Sequence, residues 1–267
     1  MGGGKHALFE MVDGDLPVRG GAFFRCAGRR GGNAGLCARR DRGRLFHGDP
    51  VGDLSENGGA PGVYHTHTYE AYTMDEENRY RQTEEWRTAD EKYNMIRVGE
   101  ELTRLLREAG VEVTHDLTAY EPPRLSTAYA RSLEGLEKTL DTPYDLYIDL
   151  HRDAYSQGNG ANTVVYDGAD CARVLILVGK GTGQMDEAQR PDWQANEKIG
   201  KAISAGMNSL APDICRGVAL KSGRYNQHIA PACLLVEAGN NRNTLPEALN
   251  AMRPLSLAIC AWLDGVD

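Results

Sequence analysis

Two histidines and one glutamate have the residue types and the spacing of a catalytic metal site. His67 and Glu70 form an H-x-x-E pair, and His151 lies far along the chain. Two imidazoles and one carboxylate that leave a fourth position to water are the ligand set of a catalytic zinc ion. We therefore predict that His67, Glu70 and His151 bind Zn²⁺, provided that the fold brings His151 to the pair.

Other residues compete for a place in this ligand set. Glu91 could reach back from the start of a predicted helix, but Glu70 is favoured because two ligands on one turn need no long loop between them. His65 precedes the first ligand by two residues and would share its strand face, and we assign it to holding a ligand in place. His115 and His228 are weaker candidates.

Glu237 is the predicted general base. It ends the apolar segment 233–236, where an ionised carboxylate is costly to bury without a partner. Beside water bound to zinc, such a carboxylate accepts a proton and returns it to the leaving amine. A salt bridge or a helix cap is the structural alternative.

Four polar residues are predicted to act on the substrate. Arg224 could clamp an anionic group or the developing oxyanion, so we assign it to the catalytic set. The predicted substrate-binding residues are Arg152, Asn226 and Asn241. Arg152 and Asp153 directly follow the distant histidine, so they could instead orient ligands or form a surface ion pair.

Three short β-prone segments lead into these residues. Residues 63–65 precede the H-x-x-E pair, residues 146–150 run into His151, and residues 233–236 end at Glu237. In open α/β sheets, sites form at the carboxyl ends of strands, so the three segments can converge. Further strands are predicted at 111–114, 163–166 and 174–178, and helices at 93–110, 129–140, 193–210 and 244–262. The last helix is predicted to begin with a capping box of Thr244 and Glu247. The alternation of strands and helices predicts a layered, open α/β sheet with helices on both faces.

Composition divides the chain into two parts and excludes some partners. Residues 1–58 are rich in Gly and Arg and predict a poorly ordered leader, whereas residues 59–267 predict the catalytic domain. The formal net charge of −8 argues against nucleic-acid binding. No apolar run suits a membrane span or a secretory signal, so no anchor is visible. The six cysteines form no C-x-x-C pair, and Cys26 and Cys37 could pair in an oxidising compartment.

Several motifs resemble one protein family. They are YHTHTYEAY (64–72), the helical segment 94–116, DLHRDA (149–154), GRYNQH (223–228) and LLVEAGNNRNTLPEA (234–248). Over about residues 62–265 the chain resembles the stage II sporulation protein P family, which is similar to the wider class of zinc N-acetylmuramoyl-L-alanine amidases. The resemblance implies the layered fold of zinc amidases and carboxypeptidase-like hydrolases.

The resemblance also implies a function. It implies a Zn²⁺ enzyme that cleaves peptidoglycan between the lactyl group of muramic acid and the first L-alanine, with stem-peptide cross-links as a further candidate bond. It implies an extracytoplasmic, membrane-associated protein acting in forespore engulfment with a lytic transglycosylase partner similar to stage II sporulation protein D. It supports His67, Glu70, His151 and Glu237, although in the wider class the metal carboxylate comes nearer to the position of Glu91.

Two other functions remain open at this point. A carboxypeptidase-like or endopeptidase-like zinc hydrolase of wall stem peptides would use the same ligands and the same base. A non-catalytic wall-binding module would have no need of Glu237 beside an open metal position. The products released from purified cell wall distinguish these three functions.

Overall fold

The computed structural model of the chain describes residues 61–154, 163–183 and 186–265. The strands in this part of the chain are β1 (Gly62–Tyr64), β2 (Thr114–His115), β3 (Tyr147–Asp153), β4 (Thr163–Tyr166), β5 (Ala169–Ala172), β6 (Val174–Gly179), β7 (Cys215–Lys221) and β8 (Cys233–Asn240). Six of them form one sheet in the order β2-β1-β3-β8-β6-β7, and β4 pairs with β5 as an antiparallel hairpin.

The sheet is mixed. Strands β2, β1, β3 and β8 run parallel, β6 is antiparallel to β8, and β7 is parallel to β6. The carboxyl ends of β1, β3 and β8 therefore lie at one end of the sheet, and the carboxyl ends of β6 and β7 lie at the other end. This division decides which predicted site residues can meet.

The α-helices of the described residues are α1 (Met95–Glu108), α2 (Ala128–Glu137), α3 (Trp193–Leu210) and α4 (Leu245–Leu263). Asn94 caps α1 by accepting a hydrogen bond from the backbone N–H of Ile96. The predicted capping box of Thr244 and Glu247 begins α4, where both of its hydrogen bonds are present. Helix α4 then continues through Pro254.

Side chains alternate between the two faces of β3. Ile148 and Leu150 belong to the main core with residues of α1, α3 and α4. Tyr147 belongs to a smaller cluster on the other face with Leu136 of α2. Helices therefore cover both faces of the sheet, and the predicted layered α/β architecture is confirmed. Asp149 and His151 follow Tyr147 at intervals of two and lie on the face of α2.

The predicted strand at 111–114 is wrong for most of its length, because only Thr114 belongs to β2. Gly110 has a φ of 84°, and the backbone N–H of Val111 donates to the carbonyl of Leu106. This is the bond pattern that ends a helix at a left-handed glycine, and it takes Val111 out of the sheet.

Two further sequence-based predictions concern the cysteines and the membrane. The leader and its Cys26 and Cys37 lie outside the described residues. Cys171, Cys215, Cys233 and Cys260 are free and buried. This burial is expected of Cys233 and Cys260, which lie in apolar segments of the sequence. No described helix has the length and apolar composition needed to cross a membrane.

Candidate metal centre

A tight turn after β1 presents His67 and Glu70 on one side. The backbone N–H of Glu70 donates to the carbonyl of His67 at 3.2 Å, and the hydroxyl of Thr68 donates to the carbonyl of His65 at 3.0 Å. These two bonds fold the H-x-x-E segment back on itself. The two predicted ligands therefore share a turn without a long intervening loop.

The structure brings His151 to this turn. The ring centroids of His67 and His151 are 5.2 Å apart, with the rings nearly perpendicular. Glu70 Oε2 lies 3.5 Å from His151 Nδ1, and both side chains are buried. Two ligands held at about 2.0–2.1 Å from a tetrahedral metal lie about 3.3 Å apart, so this separation suits a shared zinc ion.

Positive groups surround the carboxylate of Glu70. Its Oε2 accepts a hydrogen bond from the backbone N–H of Arg152 at 3.1 Å. Its Oε1 lies 3.9 Å from Nη1 of Arg152 and 4.0 Å from Nη1 of Arg87. Burial opposes ionisation, but the contact with His151 and the charge of Arg152 outweigh it and lower the pKa of Glu70 to about 2. Glu70 is therefore ionised at neutral pH, as a metal ligand must be.

The two histidines differ in their surroundings. Burial and the neighbouring His151 lower the pKa of His67 to about 4. Burial also acts to lower the pKa of His151, but Asp149 and Glu70 hold it well above its usual value. In the metal-free protein, His67 is therefore neutral and His151 is stabilised in its charged form.

Two buried atoms at this centre, His67 Nδ1 and Glu237 Oε2, lack a hydrogen-bond partner among the described residues. A third, His151 Nε2, lies 2.8 Å from Asp149 Oδ1 without the alignment of a hydrogen bond. Unpaired polar atoms are costly inside a protein unless something else binds them. No three His, Cys, Asp or Glu side chains of the described residues already close around one point, so binding requires side-chain adjustment. With that adjustment, the donor set of His67, Glu70 and His151 fits Zn²⁺.

Glu237 lies beside His151 in the sheet. The two residues are direct partners in the parallel pairing of β3 with β8. Burial raises the pKa of Glu237 to about 8, opposed by His151 and reinforced by the negative charge of Glu70. A carboxyl group with a pKa near neutrality can both accept and return a proton at physiological pH.

Arg152 is held by the protein itself. Its Nε donates to the carbonyl of Ala71 at 3.0 Å and its Nη2 to the carbonyl of Trp86 at 3.1 Å. The side chain is buried. Through these contacts Arg152 connects the 71–86 loop to the carboxylate of Glu70. The buried position of Arg152 therefore suits the orientation of a metal ligand better than contact with a substrate.

The two asparagines predicted to bind substrate are also buried. Asn226 Nδ2 donates to the carbonyl of Tyr129 at 2.7 Å and to Ser132 Oγ at 3.1 Å. The backbone N–H of Asn241 donates to the carbonyl of Asp153 at 3.2 Å. Both residues therefore make structural contacts that stabilise the segments around the centre.

Arg224 follows β7, whose carboxyl end lies at the opposite end of the sheet from the carboxyl ends of β3 and β8. Its Nη1 donates to Gln189 Oε1 at 3.0 Å. The next residue, Tyr225, reaches toward the centre, because its ring lies 5.9 Å from that of Tyr129, which lies 5.4 Å from that of His67. These ring contacts link Tyr225 through Tyr129 to the predicted ligand His67.

The competing ligands occupy other environments. Glu91 is exposed before α1, whereas Glu70 is 7% exposed beside His151. His65 Nδ1 lies 2.8 Å from the carbonyl of Leu150, and His65 Nε2 lies 2.8 Å from Nε2 of His115. His65 therefore hydrogen-bonds to His115 and to β3, the strand that carries His151.

The sequence patterns missed three residues that support this centre. Asp149 Oδ1 lies 2.8 Å from His151 Nε2. Glu121 Oε2 accepts from the backbone N–H of Tyr69 at 2.7 Å, and Glu121 also forms an ion pair with Arg87. Asp149 could have been found, because residues two apart on a strand share a face. Arg87 and Glu121 lie in irregular segments that give no such signal.

The chain belongs to the stage II sporulation protein P family, whose family model matches residues 43–260. This match confirms the resemblance given by the motifs, and it begins within the predicted leader. None of the curated proteins compared with the chain matches it.

Solved structures give weaker similarities. The catalytic domain of the CD27L endolysin, which targets Clostridia difficile, is 14% identical with a TM-score of 0.46, over 78% of this chain and 96% of that chain. An N-acetylmuramoyl-L-alanine amidase from Clostridium difficile 630 is 11% identical with a TM-score of 0.46, over 79% and 100%. The catalytic domain of CwlV, an amidase from Bacillus (Paenibacillus) polymyxa var. colistinus, is 13% identical with a TM-score of 0.42, over 78% and 99%.

Proposed function

We propose that the chain is a zinc-dependent peptidoglycan hydrolase that cleaves the amide bond between N-acetylmuramic acid and L-alanine. The surroundings of His151 carry the proposal: Glu70 Oε2 lies 3.5 Å from His151 Nδ1, and Glu237 is the direct strand partner of His151. Membership of the stage II sporulation protein P family supports the substrate class. In this proposal His67, Glu70 and His151 hold Zn²⁺.

The chain's own residues supply proton transfer and positioning. Bound zinc polarises the scissile carbonyl and lowers the pKa of water. Glu237 takes a proton from the attacking water and returns it to the nitrogen of the leaving amine, so that one amide and one water give a carboxylate and an amine. Burial, which raises the pKa of Glu237, favours this return of the proton.

Arg224 remains the proposed clamp for an anionic group of the substrate. Its hydrogen bond to Gln189 uses one Nη1 donor, and a guanidinium has five N–H donors. Arg152, Asn226 and Asn241 are proposed to support the substrate site through the segments they hold. The domain at 59–267 is proposed to carry the catalysis, with residues 1–58 as a leader.

Digestion of purified peptidoglycan tests this function. We expect the zinc-loaded protein to release stem peptides that begin with L-alanine, leaving free lactyl carboxylates on the glycan strands. A chelator should stop the release and added Zn²⁺ should restore it. Mass analysis of the soluble products identifies the bond.

The other two functions give different products. Release of terminal D-alanine, or cleavage only within cross-links, would assign the protein to the stem-peptide hydrolases. Binding to the wall without soluble products at any zinc concentration would assign it to wall-binding modules. Either result would replace the amidase assignment.

The family also suggests the setting of the reaction. We infer from it a role in sporulation, at engulfment, on the extracytoplasmic side of a membrane. A lytic transglycosylase similar to stage II sporulation protein D is the proposed partner, because cutting glycan strands and stem peptides together would clear the wall. Copurification of the two proteins from sporulating cells tests the pairing.

A further inference from the structure

One buried carboxylate, that of Asp149, contacts both halves of the candidate metal centre. Asp149 is 1% exposed on β3. Its Oδ1 accepts from the backbone N–H of Thr66 at 2.8 Å, and its Oδ2 accepts from the hydroxyl of Thr66 at 2.7 Å. The same Oδ1 lies 2.8 Å from His151 Nε2. Asp149 thus holds the residue before His67 and the ring of His151 at once.

The contacts of the imidazole distinguish its two nitrogens. His151 Nε2 lies against Asp149, whereas His151 Nδ1 lies 3.5 Å from Glu70 Oε2. The Nε2–H bond is turned away from the line to Asp149 Oδ1, so the contact falls short of a well-formed hydrogen bond. A small rotation of the ring would align it. Metal-binding histidines commonly donate their other N–H to a carboxylate, which fixes the tautomer and raises the basicity of the ligand.

From this geometry we infer that Asp149 is a positioning residue that commits His151 to bind the metal through Nδ1. The inference rests on the proposed zinc site, and it adds a residue and a specific ligand atom to that site. Through Thr66, the same carboxylate also fixes the turn that carries His67. Loss of the carboxylate charge therefore weakens metal binding although Asp149 does not touch the metal.

The variant Asp149→Asn isolates the charge from the shape. Its amide oxygen can take the place of Oδ1 and accept from the backbone N–H of Thr66. Its amide nitrogen then donates to the hydroxyl of Thr66, which can donate in turn to Ser132 Oγ, 3.0 Å away. Because every polar atom keeps a partner, we expect the variant to fold.

Zinc affinity is the first measurement. Full-length apoprotein competes with a chromophoric chelator for Zn²⁺ in the wild type, in Asp149→Asn and in Ser132→Ala. Ser132→Ala is the matched control, since it removes a hydroxyl from the same buried network and leaves the Asp149 carboxylate intact. We expect the dissociation constant of Asp149→Asn to rise about 10–100-fold, the usual effect of losing such a partner. That of Ser132→Ala should change by much less than tenfold, because the partner of His151 is retained.

The ligand atom is the second measurement, and it uses the wild-type protein. Long-range ¹H–¹⁵N correlation spectra of the zinc-loaded protein should show His151 protonated at Nε2 and metal-bound at Nδ1. Binding through Nε2 would overturn the inference, and so would an Asp149→Asn protein that binds zinc as tightly as the wild type. A wild-type protein that binds no zinc would instead overturn the proposed function.

Discussion

The imidazoles of His65 and His115 share a hydrogen bond of 2.8 Å between their Nε2 atoms. His65 Nδ1 lies 2.8 Å from the carbonyl of Leu150, which can only accept, so His65 carries its proton on Nδ1. Its Nε2 must then accept, and Nε2 of His115 donates. Both rings are neutral in this arrangement, which ties β2 to the residue preceding His151.

Helix α1 leaves room for this pair at Gly99. A Cβ at this position would overlap Nε2 of both His65 and His115. We expect Gly99→Ala to destabilise the protein by about 1–3 kcal/mol, the usual cost of overpacking, although alanine is the better helix former. Urea unfolding followed by circular dichroism measures the change. Glu100→Ala, at the next and exposed position, is the control and should change stability by no more than about 0.5 kcal/mol.

A double-mutant cycle shows whether the overlap with the rings is the cause. In a His115→Ala background, half of the obstruction is gone, so Gly99→Ala should cost less than it does in the wild type. Equal costs in the two backgrounds would mean that Gly99 is required for a reason unrelated to the histidine pair.

Acid should weaken the fold through His115. Burial and the neighbouring His65 lower the pKa of His115 to about 3, against about 6.5 in an unfolded chain. The unfolded chain therefore binds the extra proton first, so the stabilisation is complete above pH 6.5 and is lost as the pH falls toward 3. Between pH 7 and pH 5 we expect His115 to account for a loss on the order of 1 kcal/mol in the free energy of unfolding.

Urea titrations at both pH values measure this effect in the apoprotein. His115→Asn is the comparison, because asparagine does not titrate in this range. Its free energy of unfolding should fall less between pH 7 and pH 5 than that of the wild type. Identical decreases would show that His115 has no part in the pH dependence.

The choice between two carboxylates is testable by matched substitutions. Glu70→Gln should weaken Zn²⁺ binding by more than about tenfold. Even the loss of a residue that only hydrogen-bonds to a metal ligand has an effect of that size. Glu91→Gln should leave binding unchanged, because Glu91 is exposed before α1. Chelator competition on both variants gives the answer, and the reverse pattern would move the ligand to Glu91.

Glu237→Gln should separate binding from chemistry. The amide has nearly the shape of the carboxylate but cannot accept the proton, so zinc content and wall binding should be retained. Turnover should fall on the order of 10²–10⁴-fold, the usual contribution of a positioned acid–base group. Zinc content, wall sedimentation and released muropeptides are measured on one preparation. Full turnover would return Glu237 to a structural role, and loss of zinc would make it a ligand.

Much of this architecture could be predicted from local patterns. The α/β layers, the capping box before α4 and the family were predicted correctly, because periodicity and short motifs carry that information. The predicted strands also led to His151 and Glu237, although β3 and β8 continue past these residues to Asp153 and Asn240. The structure pairs the two residues between β3 and β8.

The direction of strands could not be predicted in this way. The sequence of an apolar segment such as β6 is the same whether the strand pairs parallel or antiparallel. Because β6 is antiparallel to β8 and parallel to β7, the segment after β7 that carries Arg224 starts at the end of the sheet opposite the carboxyl end of β8. The buried side chains of Asn226 and Arg152 likewise bind partners that are distant in sequence, in helix α2 and in the 71–86 loop respectively. Such partners are chosen by tertiary packing, so motif spacing does not reveal them.

The position of β8 in the sheet has a consequence for folding of the chain. It is the last of the described strands along the chain, yet it lies between β3 and β6 and pairs with both. Until it is inserted, β2-β1-β3 and β6-β7 are two separate ribbons, and joining them requires contacts between residues distant in sequence. Insertion of β8 therefore completes the sheet and brings the proposed general base, Glu237, to the proposed metal ligand, His151, in a single step.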